Sequence, residues 1–417
     1  MVYLYNHIPF GEILQIEGDK TMTYPDPERG FPVEEFEQRT SRAQKLLHES
    51  GLSALLVCTE PEVRYLTGFH TPFWQSPTRP WFVILPLSGK PIAVIPSIGE
   101  SSMSETWLDD VRTWSSPNPL DEGLSLLSNV LKEVLSLNSK PFDEGLKVGL
   151  PMGNETHLRM PLNDFEKLKE EITPHVFMDA TDIIKSLRCI KSEREIYKIS
   201  RICEIVSDGF AAIPNLISTG MSERESFRSF RMHLLELGAD EVPYLVGATG
   251  HGFSDIIKQP SDRIIESGDL IMFDTGSTFD GYFSDFDRNM AFDFASDAAQ
   301  SAYKIVWEAT EAALQIASPG NTTSDLWKAM GSVLETESSL DDSVGRFGHG
   351  LGMQVTEWPS NTSDDGTVLC EGMVLTVEPN LIWGDAHIMV HEENFVIRSD
   401  GAQLLSRRAC PELEIIR

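Results

Sequence analysis

The sequence predicts an α/β domain followed by an α+β half, and two patterns carry this prediction. Over about the first 180 residues, helical and strand-like apolar patterns alternate, as is typical of an α/β domain. In the remainder, helices are followed by strands, and this order occurs twice. A chain of 417 residues is too long for one small core, and its hydrophobic content of 41 % is enough for two domains.

The first domain is predicted from its periodicity and its turn residues. Apolar residues three or four apart indicate helices, and short apolar runs bounded by glycine, serine or proline indicate strands. The predicted elements are a helix over 36–47 ended by Gly51, a strand over 52–58, a turn-rich stretch up to Gly68, a hairpin of strands over 81–87 and 91–96, a helix over 124–135, a strand over 147–150, a helix over 163–172 and a strand near 175–178.

Two capping boxes mark the start of the second half. Ser192 with Glu195, and Ser222 with Glu225, each place a hydroxyl residue three positions before a glutamate at the start of an apolar helical pattern. Further helices are expected from about 297 to 317 and from near 323, with strands over 244–289 and after 345. We therefore predict an arm over 1–30, an α/β domain over 31–185 and a catalytic domain over 186–417.

Charge and composition argue against several classes of function. The net charge of −30 disfavours nucleic acid and anionic membranes, because a phosphate backbone is bound by Lys and Arg. The start of the chain shows no secretory signal, and the apolar runs are shorter than a membrane span. Five scattered cysteines form neither a disulfide framework nor a zinc spacing, so a cytoplasmic setting is expected.

A predicted hairpin gathers three acids on one face. Asp280 and Gly281 form a common two-residue turn, which would place Asp274 opposite Asp287 and Gly276 opposite Asp285. Because side chains alternate along a strand, the three aspartates would share one face, where like charges repel. Such a face requires a cation, an arginine or open solvent. Gly276 would leave room for an ion, and the neighbouring Arg288 would point to the other face.

Three further residues have metal-ligand chemistry and constrained positions. His349 lies between glycines in the sequence GHGLG, Glu378 ends an apolar strand before Pro379, and Glu392 lies inside the apolar run 388–397. Charged residues are rarely buried unless they are paired or bound to metal. Together with Asp274 and Asp285 they indicate a metal site, provided that the five meet in space.

These motifs resemble the pita-bread metallopeptidase family, which includes creatinase, prolidase, aminopeptidase P and methionine aminopeptidase. The family pattern is an Asp, a Gly-Tyr pair, a second Asp eleven residues after the first, a GHG histidine and two strand-end glutamates. This chain has Asp274, Gly281-Tyr282, Asp285, His349, Glu378 and Glu392. The segments RYLTG at 64–68 and LRCIKSE at 187–193 are typical of the creatinase and prolidase branch, so the resemblance extends from about residue 31 to the end.

The resemblance implies a pita-bread catalytic domain with two divalent metal ions. Asp285 and Glu392 would bridge the ions, and Asp274, His349 and Glu378 would complete the ligand set. An oxygen-rich set with one imidazole suits Mn²⁺ best, with Fe²⁺, Co²⁺ or Zn²⁺ also suitable. Glu378 would also relay the proton in amide hydrolysis. Family members are commonly homodimers, and the substrate would be a dipeptide or another small molecule.

The substrate positions depart from the family pattern. The two histidines that grip the substrate in the peptidases correspond to Ile257 and Thr356, and the arginine two residues before the last glutamate is Val390. His251 and His391 are candidate replacements, and Tyr282 and Thr356 are candidate pocket residues. Asp287 replaces a threonine and is a candidate sixth ligand or substrate-binding acid.

Three functions are compatible with this pattern. The first is a metal-dependent hydrolase of Xaa-Pro dipeptides. The second is a small-molecule enzyme on the same scaffold, such as an ectoine or creatine hydrolase or a lyase of dimethylsulfoniopropionate. The third is a metal-free binding protein, and the retention of all five ligand types argues against it.

Overall fold

The computed structural model describes residues 26–138, 145–334 and 345–417. Of the predicted arm over 1–30, residues 1–25 therefore lie outside the described part. None of the helices in the described ranges is both long enough and apolar enough to cross a membrane.

A six-stranded mixed sheet forms the centre of the first domain. Its strands lie in the order β4-β3-β2-β1-β5-β6. Their bounds are β1 (Ala54–Val57), β2 (Phe82–Pro86), β3 (Ile92–Pro96), β4 (Asp110–Trp114), β5 (Lys147–Leu150) and β6 (Val176–Asp179). The predicted strands and the β2–β3 hairpin are confirmed, since β2 and β3 pair antiparallel.

Helices cover both faces of this sheet, as an α/β domain requires. One apolar cluster packs α4 and α5 against the sheet, and α1 and α2 belong to a second cluster that continues into the catalytic half. The helices are α1 (Val33–Glu49), α2 (Glu60–Thr67), α3 (Glu100–Ser104), α4 (Leu124–Asn138), α5 (Leu162–Glu171) and α6 (Thr181–Arg188), with short 3₁₀ helices at Pro72–Gln75 and Ser97–Gly99.

The stretch before Gly68 differs from its prediction. It forms α2, not a series of turns, and Gly68 ends this helix with a left-handed φ of 77°. Pro61 occupies an early helical position, where its missing N–H costs nothing. Tertiary contacts stabilise this helix, because Val63, Tyr65 and Leu66 are all buried in the domain core, and the local sequence pattern does not show these contacts.

The described residues of the second half form four helices and three sheets. Both capping boxes are confirmed, at the starts of α7 and α8. The helices are α7 (Glu193–Leu216), α8 (Glu223–Glu236), α9 (Asp297–Ile316) and α10 (Thr323–Leu334). The helices therefore precede the strands twice, as predicted for an α+β half.

Two five-stranded sheets carry the residues of interest. The first has the order β18-β10-β8-β7, with β9 paired to β8, and the second has the order β12-β11-β13-β16-β17; β14 and β15 form a separate hairpin. The strands are β7 (Glu241–Gly250), β8 (Leu270–Phe279), β9 (Tyr282–Phe283), β10 (Phe286–Phe292), β11 (His349–Gly350), β12 (Glu357–Ser360), β13 (Val374–Val377), β14 (Asn380–Trp383), β15 (His387–Val390), β16 (Glu393–Arg398), β17 (Gly401–Leu404) and β18 (Glu414–Ile416).

The register of the acid hairpin is confirmed. Phe279 pairs with Tyr282, and Asp274 pairs with Asp287. Asp280 and Gly281 both have positive φ, 46° and 74°, as a tight two-residue hairpin turn requires. Asp280 tolerates this conformation because its carboxylate is held by Arg64 at 2.8 Å and by Lys198.

Buried ion pairs join the first domain to the second half. The Arg188 guanidinium contacts Glu62 at 2.7 Å and also contacts Glu357, whose other oxygen lies 3.1 Å from Lys191 Nζ. All four side chains are at most 8 % exposed. Because Glu357 follows Thr356 in sequence, this network fixes the segment that contains Thr356.

Candidate metal centre

Asp274 and Asp285 both contact the hydroxyl of one tyrosine, Tyr244. Asp274 lies within β8, and Asp285 lies between β9 and β10, where Asn394 Oδ1 accepts its backbone N–H at 2.9 Å. The Tyr244 hydroxyl is 2.6 Å from Asp274 Oδ1 and 2.6 Å from Asp285 Oδ1. One phenol proton cannot serve two carboxylates at once, so the second contact requires a proton on a carboxyl group or a cation.

Tyr244 also corrects the expectation for Gly276. A Cβ on Gly276 would lie 2.6 Å from the Tyr244 ring, so the space beside this glycine holds an aromatic ring and not an ion. The two residues are cross-strand partners in β7 and β8. In the sequence, Tyr244 stands out only as a polar aromatic residue within a predicted strand. The pairing of β7 with β8 shows that its hydroxyl faces the two aspartates.

His349 presents a lone pair to the acids. Its Nδ1 lies 2.9 Å from the carbonyl of Gly350, and because a carbonyl only accepts, Nδ1 carries the proton. The unprotonated Nε2 is 3.4 Å from Asp285 Oδ2 and 3.9 Å from Glu378 Oε1. Burial lowers the pKa of His349 to about 4, so the ring is a neutral ligand at pH 7.

The two glutamates, Glu378 and Glu392, lie at the ends of the paired strands β13 and β16. Glu378 follows β13, and its N–H donates to the carbonyl of Phe347 at 3.1 Å. Glu392 lies between β15 and β16, is 2 % exposed, and its Oε1 is buried without a hydrogen-bond partner among the described residues. Ligand atoms of Asp285, His349 and Glu392 all lie within 4.8 Å of one another.

The four acids are electrostatically unfavourable without a positive charge. Burial raises the pKa of Asp274 to about 6 and that of Glu378 to about 7. For Asp285 and Glu392, burial and the neighbouring carboxylates raise the pKa well above its ordinary value. The site therefore holds either protons or cations.

The donor set fits divalent metal ions. It provides carboxylate oxygens from four acids and one oriented imidazole nitrogen, and one of those oxygens, Glu392 Oε1, is buried with no hydrogen-bond partner in the described part of the chain. Asp274, Asp285, His349, Glu378 and Glu392 would hold the metal. Oxygen ligands with one imidazole are suited to Mn²⁺ and its neighbours in the first transition row.

The raised carboxyl pKa values predict that metal-free protein loses stability as pH rises. In the unfolded chain these groups ionise near pH 4, so the folded state holds more protons between pH 4 and 7. The stabilisation is complete below pH 4 and is lost as pH rises through about 6 to 7. We expect chelator-treated protein to be less stable at pH 8 than at pH 5 by on the order of 2 kcal/mol. Calorimetry at both pH values would measure this.

Adding Mn²⁺ should remove most of this pH dependence, because the ions replace the protons. Glu378→Gln should reduce the pH dependence of the metal-free protein, because Asp274, Asp285 and Glu392 still contribute, whereas Glu371→Gln, at an exposed position, should leave it unchanged. Equal stability of the metal-free protein at both pH values would contradict the assignment of these acids to a common buried site.

Asp287 and His391 lie behind the ligands. The Asp287 carboxylate accepts the backbone N–H of Glu392 at 2.6 Å and the Asn289 amide at 3.0 Å, so it orients a ligand strand. His391 is completely buried, and its Nε2 accepts from Arg408 at 2.8 Å. These contacts correct the expectation that the two residues bind substrate, because their polar atoms face backbone and core.

His251 and Tyr282 are also separated from the ligands. The His251 ring is largely exposed and lies 3.2 Å from the carbonyl of Gly268, near the start of β8. Asp274 lies further along the same strand, on the order of 15–20 Å away at strand spacing. The Tyr282 hydroxyl donates to Glu195 at 2.9 Å and accepts from Arg39 at 3.4 Å, inside the protein. Neither placement supports the predicted substrate contact.

Thr356 is the predicted pocket residue that lies close to the ligands. Its Oγ1 is 3.4 Å from the Arg346 guanidinium, whose Nε is 3.9 Å from Glu378 Oε1. Ile257, at the other lost histidine position, is 77 % exposed. Arg346 was absent from the sequence-based candidates because it lies outside every family motif.

Known proteins share both halves of this architecture. Residues 39–190 match the creatinase/prolidase N-terminal domain, and residues 197–399 match metallopeptidase family M24. An Xaa-Pro dipeptidase from Pyrococcus furiosus is 32 % identical over 244 residues, covering 58 % of this chain and 70 % of that protein. An Xaa-Pro dipeptidase from Lactobacillus delbrueckii subsp. lactis is 25 % identical and covers 86 % of this chain and 94 % of its own.

Solved structures share the fold over most of this chain. A recombinant prolidase from Thermococcus sibiricus has a TM-score of 0.80 at 26 % identity, over 91 % of this chain and 99 % of that chain. The N-terminal domain of FACT complex subunit SPT16 from chickpea has a TM-score of 0.70 at 17 % identity, over 92 % of this chain and 98 % of its own, and shows the fold alone. The chain therefore belongs to metallopeptidase family M24, with a creatinase/prolidase N-terminal domain and a pita-bread catalytic domain.

Proposed function

We propose that this protein is a metal-dependent hydrolase that cleaves the amide C–N bond of Xaa-Pro dipeptides. The observation that carries the proposal is the convergence of Asp285, His349 and Glu392, with Asp274 and Glu378 beside them. The names of its relatives, Xaa-Pro dipeptidase and prolidase, support the substrate class. Metal ions held at such a site would activate a water and polarise the carbonyl of the scissile amide.

We further propose that two ions are bound and that both are Mn²⁺ in the active protein. Four carboxylates offer eight oxygens, and with one imidazole nitrogen they exceed what a single six-coordinate ion can use. When bound, such ions lower the pKa of a coordinated water and polarise the substrate carbonyl. Asp285 and Glu392 are the proposed shared ligands, because their ligand atoms lie together with that of His349.

Glu378 is the proposed proton carrier. Its side chain is 26 % exposed, whereas the side chain of Asp285 is 5 % exposed. A carboxylate at the open side of the site can accept a proton from the attacking water and deliver it to the leaving amine. In the overall reaction a C–O bond forms, the C–N bond breaks, and one water is consumed.

A substrate panel tests the proposed activity. We expect Mn²⁺-loaded protein to hydrolyse at least one Xaa-Pro dipeptide and to leave ectoine, creatine and dimethylsulfoniopropionate unchanged. Amine release and chromatography would measure turnover, with chelator-treated protein as the control. No hydrolysis of any dipeptide, with full metal content, would refute the peptidase function.

The small-molecule enzyme is the second candidate, and the replacement of both family histidines favours it. Exposed Ile257 and the Thr356 hydroxyl cannot supply the imidazole contacts of the peptidases. Turnover of a non-peptide compound in the same panel would identify this function. A folded protein that binds no metal would instead support the binding-protein alternative.

We also propose a homodimer in the cytoplasm. Val176 and Met178 on edge strand β6 are 49 % and 41 % exposed, and such apolar side chains are suited to a subunit contact. All five cysteines are free, as expected in a reducing compartment. Light scattering would measure the mass in solution.

A further inference from the structure

Arg346 is a cation at the proposed active site that no family motif accounts for. It lies three residues before His349, and its guanidinium faces three oxygens from different parts of the chain. These are Glu378 Oε1 at 3.9 Å, Thr356 Oγ1 at 3.4 Å and Glu155 Oε1 at 3.4 Å. The side chain thus connects a ligand carboxylate, a pocket hydroxyl and a residue of the first domain.

None of these contacts is short. Strong hydrogen bonds from a guanidinium to a carboxylate are about 2.7–2.9 Å long. Arg188 reaches such a distance in its buried pair with Glu62, at 2.7 Å, and Arg288 does so with Glu393, at 2.9 Å. The Arg346 side chain is 33 % exposed, so its N–H groups are accessible, and its long contacts leave them only weakly hydrogen-bonded.

The surrounding charge explains why an anion is suited to this position. Two divalent ions would balance the charges of the four ligand carboxylates, so a separate fixed cation is needed to give an anionic substrate group a positive partner beside them. A guanidinium presents its N–H groups as a planar fork that matches the two oxygens of a carboxylate. The Thr356 hydroxyl, beside the same guanidinium, can donate a further hydrogen bond to that carboxylate.

We propose that Arg346, with Thr356, binds the free carboxylate of the substrate. This inference rests on the proposed hydrolase function and specifies its substrates as short acids. Because Arg346 lies beside the ligand Glu378, the carboxylate must lie within about one residue, roughly 3.5 Å of chain, of the amide that is cleaved. Dipeptides and N-acyl amino acids satisfy this condition, whereas longer peptides and C-terminal amides do not.

Arg346 can also take over the role of two polar residues of the family pattern that this chain lacks. Val390 and Thr356 stand where family peptidases have an arginine and a histidine, so this chain lacks two of the usual polar contacts. Arg346 restores a positive charge next to Thr356 from a different segment. The Glu155 carboxylate holds the guanidinium in place through a weak, partly exposed pair that a substrate carboxylate can replace.

Kinetics with matched substrates test the proposal. The Mn²⁺-loaded full-length protein would be assayed with an Xaa-Pro dipeptide and with its C-terminal amide. We expect the wild type to prefer the free acid at least tenfold in kcat/KM. Arg346→Met should raise KM for the acid at least tenfold, and its kcat/KM should fall at least tenfold more for the acid than for the amide, because only the acid carries the carboxylate. Arg346→Lys should recover part of the loss, because a lysine keeps the charge but not the fork.

Arg224→Met is the matched control, since Arg224 lies on α8 and forms an exposed pair with Asp262. It should behave as the wild type. Metal content of each variant would be measured, because a general electrostatic role would lower metal binding and slow both substrates together. Equal losses on the acid and the amide, or loss of metal in Arg346→Met, would overturn the proposal.

A binding measurement separates this inference from the proposed activity. Titration calorimetry with L-proline and L-prolinamide needs no turnover. Tighter binding of the acid, lost in Arg346→Met, supports the carboxylate site even if no dipeptide is hydrolysed. Equal or undetectable binding of both compounds by the wild type would overturn the site while leaving a measured peptidase activity in place.

Discussion

Asp285→Asn is expected to remove metal binding and activity together. Asp285 lies within ligand distance of His349 and Glu392 and shares Tyr244 with Asp274, so its carboxylate connects all parts of the site. An asparagine has nearly the same shape but offers one oxygen and no charge. Metal content should fall below one ion per chain, and kcat/KM should fall by on the order of a thousandfold or more.

Elemental analysis after gel filtration would measure the metal, and dipeptide hydrolysis would measure the rate. Asp182→Asn, at an exposed position on α6, is the matched control and should retain both. Because the substitution removes a buried negative charge, the variant should fold at least as well as metal-free wild type. Full metal occupancy in Asp285→Asn would refute its assignment as a shared ligand.

Glu357→Gln is expected to destabilise the buried ion-pair network that connects Glu62 of the first domain to the catalytic half. Glu357 is 2 % exposed and faces both Arg188 and Lys191, which are equally buried. Its removal leaves two cations with one remaining acid, Glu62. Removing one partner of a buried pair typically costs about 3–5 kcal/mol, so the urea unfolding midpoint should fall clearly.

The pH dependence of this loss follows from the same geometry. Burial opposes ionisation of Glu357, but the charges of Arg188 and Lys191 outweigh it and lower its pKa to about 2. A lowered pKa gives stability that is complete above the unfolded value near 4 and is lost as pH falls towards 2. The difference between wild type and variant should therefore stay constant from pH 5 to pH 8.

Glu371→Gln, at an exposed position, serves as the control for this measurement and should unfold with the wild type. We also expect Glu357→Gln to lower dipeptide hydrolysis, because Gln354 N–H donates to Glu357 at 3.1 Å and Thr356 precedes it in sequence. A variant as stable as wild type would show that the buried ion-pair network around Glu357 contributes little to stability.

Local patterns were sufficient for most secondary structure and for the ligand types. The Asp280-Gly281 turn determined the hairpin register, because a two-residue loop fixes which residues pair on its two sides. The capping boxes located α7 and α8 because both partners lie within four residues. The failure at α2 came from contacts with distant core residues, which local periodicity does not contain.

The sequence by itself therefore determined the fold class, the five candidate ligands and their separation along the chain. The tertiary structure alone decided which polar residues face the site. Tyr244 fills the space beside Gly276, Asp287 bonds the backbone of a ligand, and Arg346 approaches Glu378. The physical reason is range: a hairpin turn and a helix cap act between near neighbours in sequence. These contacts depend instead on strand pairing and on the packing of segments that are distant in sequence, which local sequence context does not record.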